Sequence, residues 1–237
     1  KSESMKKLHS PTLQSLSDLL FPRSCLGCNR YLNFYESTLC ITCQIELPQT
    51  HFQNTRKNPV FNKLDLLFPI EAATAAFIFQ KEGLVAHLIY DFKYKGNHQS
   101  GLLLTHYLTI ALKESLLFRE IEGIVPLPLH HTRKRKRGFN QAEIIGKVIA
   151  QKLKIPFYAD GLIRLKKTKA LAHIGDEDRW NEIKDAFVIN SSYKRLPNHL
   201  LLVDDVITTG ATLSACADAL KKNSSLKLSI AALACRL

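Results

Sequence analysis

Apolar positions along this chain fall into two regimes. Residues 1–50 show little helical periodicity, and Gln49–Lys63 is polar, with Asn54, Asn58 and Pro59, which reads as a linker. From Ala72 onward, short apolar runs alternate with helix-spaced stripes. Ala75–Phe79 predicts a strand. Leu84, Val85, Leu88, Ile89 and Phe92 share one helix face, and Leu102–Phe118 predicts a second helix. Ile121–Leu127 predicts a strand stopped by Pro126 and Pro128. Ala142, Ile145, Gly146, Ile149 and Leu153 again have helix spacing. Ile155–Glu182 is irregular, and Ala186–Ile189 reads as a short strand. Leu200–Val203 is uninterrupted apolar sequence, the mark of a strand buried on both faces. Leu213, Cys216, Ala217 and Leu220 form a stripe after it, and Leu226–Ala234 reads as a closing strand. Strands alternating with helices predict an α/β domain, a mostly parallel sheet flanked by helices. The division expected is therefore 1–50 as a small module, 51–70 as a linker and 71–237 as the α/β domain.

The 237 residues are 46% apolar and 23% charged, enough for one full domain and an appendage. The net charge of +12 suits a polyanionic partner, nucleic acid, a phosphate-rich ligand or an acidic membrane surface, as well as it suits a solvated basic surface. No apolar run reaches the ~18 residues of a membrane span. Lys1–Lys7 leads into no secretory-type apolar core, so a cytoplasmic protein without membrane insertion is expected.

In a cytoplasmic chain, paired cysteines read as metal ligands rather than disulfides. Cys25-Leu26-Gly27-Cys28 and Cys40-Ile41-Thr42-Cys43 lie eleven residues apart and supply four thiolates for a tetrahedral zinc. Gly27 is expected to permit the tight knuckle turn. Four protein ligands leave no open position, so the zinc is structural and supplies folding energy to a segment too short for its own core. The module can present Arg23, Arg30 and Tyr31 to DNA. Cys216 and Cys235 read as core residues.

The sharpest chemical signal is Leu200-Leu201-Leu202-Val203-Asp204-Asp205-Val206-Ile207-Thr208-Thr209-Gly210-Ala211-Thr212. A buried strand delivers two adjacent acids, and a hydroxyl-rich loop with a glycine runs straight into a helix. Ligands of open α/β sheets bind at the carboxyl ends of strands. The loop N–H groups, Thr208, Thr209 and Thr212, and the positive helix end near Ala211 all suit a phosphate, and Gly210 lets the main chain approach it. Asp204 and Asp205 repel phosphate. They suit sugar hydroxyls or a magnesium ion held largely through water. Phosphate at one end and a diol beside it describe a ribose 5-phosphate.

Arg133-Lys134-Arg135-Lys136-Arg137 is a run of five cations between Leu129-His130 and Gly138-Phe139. Alone it reads as a solvated loop. Placed between a strand end and a helix start, it falls on the same sheet edge as the phosphate loop, where Arg can grip pyrophosphate bidentately. His130 and His131 read as surface histidines.

The acid–acid–Thr-Thr-Gly segment resembles the phosphoribosyl pyrophosphate (PRPP) loop of type I phosphoribosyltransferases. The stretch from Val125-Pro126-Leu127-Pro128-Leu129-His130 through Arg137-Gly138-Phe139-Asn140-Gln141-Ala142 resembles the ComF family, a phosphoribosyltransferase-like branch linked to DNA uptake in natural transformation. Phe92-Lys93-Tyr94-Lys95-Gly96 and the four-cysteine module also match, in the family's order, from Leu20-Phe21-Pro22 to the final strand. The resemblance implies that Asp204 and Asp205 contact the ribose hydroxyls and that Val206, Ile207, Thr208, Thr209, Gly210, Ala211 and Thr212 complete the PRPP site. It implies pyrophosphate contacts for Arg133, Arg137 and Lys93, with Asp204, Asp205 and Arg137 as the catalytic set and magnesium accompanying PRPP. Thr168 and Arg179 match the hood over the acceptor, whereas Leu171 replaces an expected Gln and Glu182 an expected Asn, with Asn181 one place early. The implied activity is phosphoribosyl transfer to an acceptor with release of pyrophosphate. The alternative is a nucleic-acid-binding or adaptor protein of competence, partnered with single-stranded DNA and competence proteins, that keeps a PRPP pocket.

Overall fold

A computed structural model describes residues 22–165, 186–193, 196–221 and 226–237. They divide into two compact units between Leu47 and Pro48. Thr168, Leu171, Arg179, Asn181 and Glu182 lie outside the described residues, as do Leu20 and Phe21.

In the smaller unit, Cys40 caps a short helix, α1 (Ile41–Ile45), its sulfur accepting the Cys43 N–H. The first knuckle takes its left-handed residue at Asn29 (φ 60°), not at Gly27, which has no positive φ. Asn is the side-chain-bearing residue that tolerates this region best.

The larger unit has, among its described residues, helices α2 (Pro59–Asp65), α3 (Leu84–Tyr94), α4 (His98–Glu114), α5 (His131–Arg137), α6 (Gln141–Leu153) and α7 (Ala211–Lys221). Its strands are β1 (Ala72–Ile78), β2 (Gly123–Pro126), β3 (Leu162–Arg164), β4 (Phe187–Ile189), β5 (His199–Ile207) and β6 (Lys227–Cys235). β1, β6, β5 and β2 lie side by side in that order, every pairing parallel. A lone parallel bridge from Ile124 to Phe157 extends the sheet beyond β2. β3, inside the stretch read as irregular, forms a separate antiparallel pair with β4, the short strand expected at Ala186–Ile189. Of the two central strands, β5 is buried from His199 to Val203 and half-buried from Asp204 to Val206, and β6 is buried from Leu228 to Cys235, as their largely apolar sequence demands.

Three further corrections concern the elements of the larger unit. Residues 51–70 are not a bare linker. Phe52–Asn54 forms a 3-10 turn, and α2 buries Val60, Phe61 and Leu64 in the same core as Leu202 and Ile230. Asn58-Pro59, taken as loop punctuation, starts a helix. The Asn58 carboxamide oxygen accepts the Phe61 N–H at 3.0 Å, its Nδ2 donates to the Ala73 carbonyl at 2.8 Å, and Pro59 sits in the first turn.

The second correction concerns the basic run, which is a helix rather than a loop. His130 Nδ1 accepts the Thr132 N–H at 3.3 Å, and Gly138, at φ 86°, closes α5 with its N–H on the Lys134 carbonyl. Lys and Arg are good helix formers and favour a helix C-terminus. The third is the length of β5, which runs four residues past Val203 because β6 goes on pairing with it, Asp204 opposite Ala232 and Val206 opposite Ala234.

Candidate functional site

The sheet opens where β2 stops. β2 pairs with β5 only as far as Pro126 opposite Val203, with one further bond from the Leu127 N–H to the Val203 carbonyl at 2.8 Å. Pro126 and Pro128 cannot donate to a ladder. From Asp204 onward β5 therefore has β6 on one side and a diverging chain on the other. This is the crevice at strand ends where α/β folds bind ligands.

The adjacent acids part company there. Successive strand residues face opposite sides of a sheet. Asp205 lies on the α3 side, its Oδ2 2.8 Å from Lys93 Nζ. Asp204 lies toward α7. Burial first, then the neighbouring Asp205 charge, pushes its carboxyl up to about 7. Its Oδ1 accepts the Asp205 N–H at 2.7 Å. On α7, burial and then the Asp204 charge drive the Cys216 thiol far up, which makes it an inert core group.

After Ile207 the chain turns through Thr208, Thr209 and Gly210 into α7. Both threonines are exposed and Gly210 is buried, with φ 82°. A Cβ on Gly210 would sit 2.7 Å from Leu64 Cδ2 and 2.9 Å from Leu67 Cδ1. Conformation and space both demand glycine. The Thr209 hydroxyl oxygen accepts the Ala211 N–H at 3.5 Å, and Lys63 Nζ donates to the Thr208 carbonyl at 3.4 Å.

The basic residues gather close by. Lys93, Tyr94, Gly96, Arg133, Lys136 and Arg137, with Phe139, line a cavity of about 580 Å³. Arg137 donates to Gln141 Oε1 at 2.6 Å and to the Tyr94 hydroxyl at 3.3 Å, and its guanidinium lies 5.0 Å from the Tyr94 ring centre. Lys93 and Tyr94 also line a second cavity of about 580 Å³, with Gly83, Tyr90, Val206 and Thr208 on its other walls. The structure thus brings Lys93, Arg133 and Arg137 around one cavity. It ties them to the acid segment through Lys93, and it sets Val206 and Thr208 in the next cavity. His130 is buried as the α5 cap rather than exposed. Sequence reasoning missed Tyr94 and Lys63 as site residues, although Tyr94 stands inside a quoted motif. Nothing local in the sequence marks Lys63.

In the smaller unit the sulfurs of Cys25, Cys28, Cys40 and Cys43 all lie within 4.8 Å of one another. Cys28 and Cys40 are 3.7 Å apart. A zinc–sulfur tetrahedron with bonds of about 2.3 Å has edges of about 3.8 Å, so the cluster fits that ion. Cys25 Sγ accepts the Gly27 N–H at 3.4 Å and the Cys40 N–H at 3.3 Å. The Cys43 N–H, and then Arg30, bring the Cys40 thiol down to about 6. Buried Glu36 braces the knuckles, accepting from Arg30 at 2.6 Å and from the Asn33 and Ile41 N–H groups at 2.9 and 2.8 Å.

Among the described residues no helix is long and apolar enough to cross a membrane. No family model matches the chain. Among characterised proteins it is 32% identical over 139 residues to Competence protein F of Haemophilus influenzae, covering 57% of this chain and 61% of that one. It is 29% identical over 142 residues to DNA utilization protein YhgH of Salmonella typhi, covering 57% of this chain and 60% of that protein. The chain therefore spans about three-fifths of the length of these two relatives. The Escherichia coli (strain K12) protein of the latter name is 25% identical over 206 residues, 84% of each chain. Solved structures that superpose loosely include orotate phosphoribosyltransferase from Aeropyrum pernix, with TM-score 0.36 and 12% identity over 63% of this chain and 76% of that one. Another is adenine phosphoribosyl transferase from Trypanosoma brucei in complex with AMP, pyrophosphate and ribose-5-phosphate, with TM-score 0.34 and 16% identity over 75% of this chain and 68% of that one.

Proposed function

We propose that this ComF-type homologue of Competence protein F and DNA utilization protein YhgH binds PRPP where β5 outruns β2 and transfers its phosphoribosyl group to an acceptor. One observation carries the reading. The end of β5, a Thr-Thr-Gly turn at the start of α7, and the basic cavity bounded by Arg133, Arg137 and Lys93 occupy one edge of the sheet and are linked through Asp205–Lys93.

In this reading the turn from Val206 to Thr212 takes the 5-phosphate on main-chain N–H groups and threonine hydroxyls, backed by the N-terminus of α7. Asp205, on the α3 side, takes the ribose hydroxyls, and Asp204, turned toward α7, steadies the strand end by accepting the Asp205 N–H. Arg133, Arg137 and Lys93 take the pyrophosphate. The bond from C1 to the pyrophosphate oxygen breaks with its electron pair staying on the departing group, and the acceptor's lone pair closes on C1. The protein's part is positioning, together with charge placed where charge develops: cations at the leaving group and the Asp205 carboxylate beside the cationic sugar.

Asp205 is the acid that would face a magnesium ion carried with the diphosphate, held largely through water. Magnesium bound there with the ligand would neutralise the diphosphate. The zinc proposed for Cys25, Cys28, Cys40 and Cys43 is structural, with every ligand supplied by the protein.

The test is thermal unfolding with PRPP and magnesium. The melting temperature rises for the wild type, and Asp204→Asn with Asp205→Asn abolishes the rise. A wild type indifferent to PRPP refutes the assignment.

A second reading, nucleic-acid binding in competence, draws on exposed rings in the cysteine unit, Tyr31 at 71% and Tyr35 at 94% exposure, together with the basic total charge. Exposed aromatics beside cations are how proteins hold single strands. Affinity for single-stranded DNA that falls steeply across a salt series supports this reading, and absence of binding at low salt removes it.

A further inference from the structure

Lys63 stands in the last turn of α2, and its ammonium bridges two main-chain carbonyls, Thr208 O at 3.4 Å and Arg236 O at 2.5 Å. It ties together the stretches of chain that follow the two central strands. With Leu66, Leu67, Thr208, Thr209 and Arg236 it lines a cavity of about 630 Å³ that shares no residue with the basic one. Lys63 thus meets the turn apart from Lys93, Arg133 and Arg137.

Holding a carbonyl also aims a donor. A trans peptide is planar, so the C=O of one residue and the N–H of the next point in opposite directions. Ile207 O accepts the Arg236 N–H at 2.8 Å, so the Thr208 N–H points away from the β6 side, toward the crevice that β2 leaves open. Thr208 O is drawn to Lys63, so the Thr209 N–H points away from α2. Neither N–H has an acceptor among the described residues. The turn then ends in left-handed Gly210, an arrangement in which successive N–H groups converge on an anion.

The two holds differ in kind. The one on Ile207 prolongs the sheet ladder, main chain to main chain. The one on Thr208 is a single side chain, brought from 145 positions away in sequence. Both threonines are exposed, so packing does not fix the peptide between them. Rotated about its long axis, that peptide would set a carbonyl oxygen against a bound phosphate and turn attraction into repulsion. We infer that Lys63 is the positioning residue of the phosphate turn, keeping the Thr208–Thr209 peptide with its N–H toward the anion. The ammonium also polarises the peptide it holds, which makes that N–H a better donor. The inference rests on the reading of this turn as the 5-phosphate site and adds the residue that sets the direction of one of its donors.

The experiment titrates the full chain, labelled with nitrogen-15 threonine, with ribose 5-phosphate, and follows affinity by calorimetry and the threonine amides by NMR. In the wild type the Thr208 and Thr209 amide protons both move downfield on binding. Lys63→Met binds about tenfold more weakly, about 1.4 kcal/mol, and the Thr209 amide stops responding while Thr208 still does. Lys63→Arg restores both. Arg236→Met removes a charge from the same cavity but leaves the carbonyl held, and it changes affinity by less than about twofold. Unchanged affinity in Lys63→Met overturns the inference and leaves the 5-phosphate reading standing. So does a Lys63→Met protein that binds weakly with both amides responding as in the wild type, because Lys63 then acts as a charge and not through the peptide. A wild type indifferent to ribose 5-phosphate is a different result, and it removes the 5-phosphate reading together with the inference built on it.

Discussion

Gly210→Ala isolates what shapes the phosphate loop. Gly210 has φ 82°, and a Cβ there would meet Leu64 Cδ2 at 2.7 Å and Leu67 Cδ1 at 2.9 Å. Two costs are involved. Holding alanine in the left-handed region costs about 1–2 kcal/mol. Opening room against Leu64, fully buried, and Leu67, 42% exposed, is an overpacking event of about 1–3 kcal/mol. The lower entropy of the unfolded alanine chain returns about 0.4–1 kcal/mol, leaving a loss of roughly 1–4.5 kcal/mol. Gly138 supplies an internal control, because it has φ 86° but nothing within 4 Å of an added Cβ. Gly138→Ala carries the dihedral cost alone and should lose about 1 kcal/mol. Urea unfolding of both variants and the wild type, fitted with a common m-value, gives the comparison. The difference between the variants is the wall of Leu64 and Leu67, and Leu67→Ala in the Gly210→Ala background should recover part of it. Equal losses for the two glycines would refute the claim that α2 and the residues after it shape the loop.

Asp204 makes stability depend on pH. Its carboxyl is raised from 3.8 to about 7, so between those values the folded state holds a proton that the unfolded state has released. The contribution is fully present below pH 3.8 and is lost as pH rises through 7. Asp204→Asn should flatten this slope in urea midpoints measured from pH 4 to 8, and an unchanged slope would place the titration elsewhere. Cys43→Ser, or a strong chelator, should strip zinc measured by atomic absorption and expose residues 22–47 to protease, because ion binding supplies about 10–16 kcal/mol to such small modules. Resistance to protease after complete metal loss would show that the unit stands on its own apolar contacts.

The sequence conveyed the sheet well because its central strands are buried on both faces and written mainly in apolar residues. Leu200–Val203 and Leu226–Ala234 needed no context, and neither did the two Cys-x-x-Cys knuckles. What it hid were residues that serve two grammars. Asn58-Pro59 is loop punctuation and also a helix cap followed by its first residue, and only the burial of Val60, Phe61 and Leu64 decides between them. Five cations in a row describe a solvated loop or a short helix equally well, and the caps at His130 and Gly138 decide that case. The length of β5 was hidden because acids are poor strand formers. They are held in the strand by continued pairing with β6, a contact distant in sequence.

The most consequential loss was the inequivalence of Asp204 and Asp205. Two identical letters in succession invite one shared role, yet residues adjacent in a strand must face opposite ways. One acid sits toward α7 in surroundings that favour its neutral form, and the other is paired with an ammonium on α3. Replacing the two separately should therefore give different phenotypes. Asp204→Asn keeps the size and neutrality that its burial already favours, so it should unfold no more readily than the wild type at pH 8. Asp205→Asn strands the Lys93 ammonium among Arg133, Lys136 and Arg137, which should cost stability at low salt and recover it as added salt screens the cations. Matching losses for the two variants, with the same salt response, would mean that the pair acts as one anion after all.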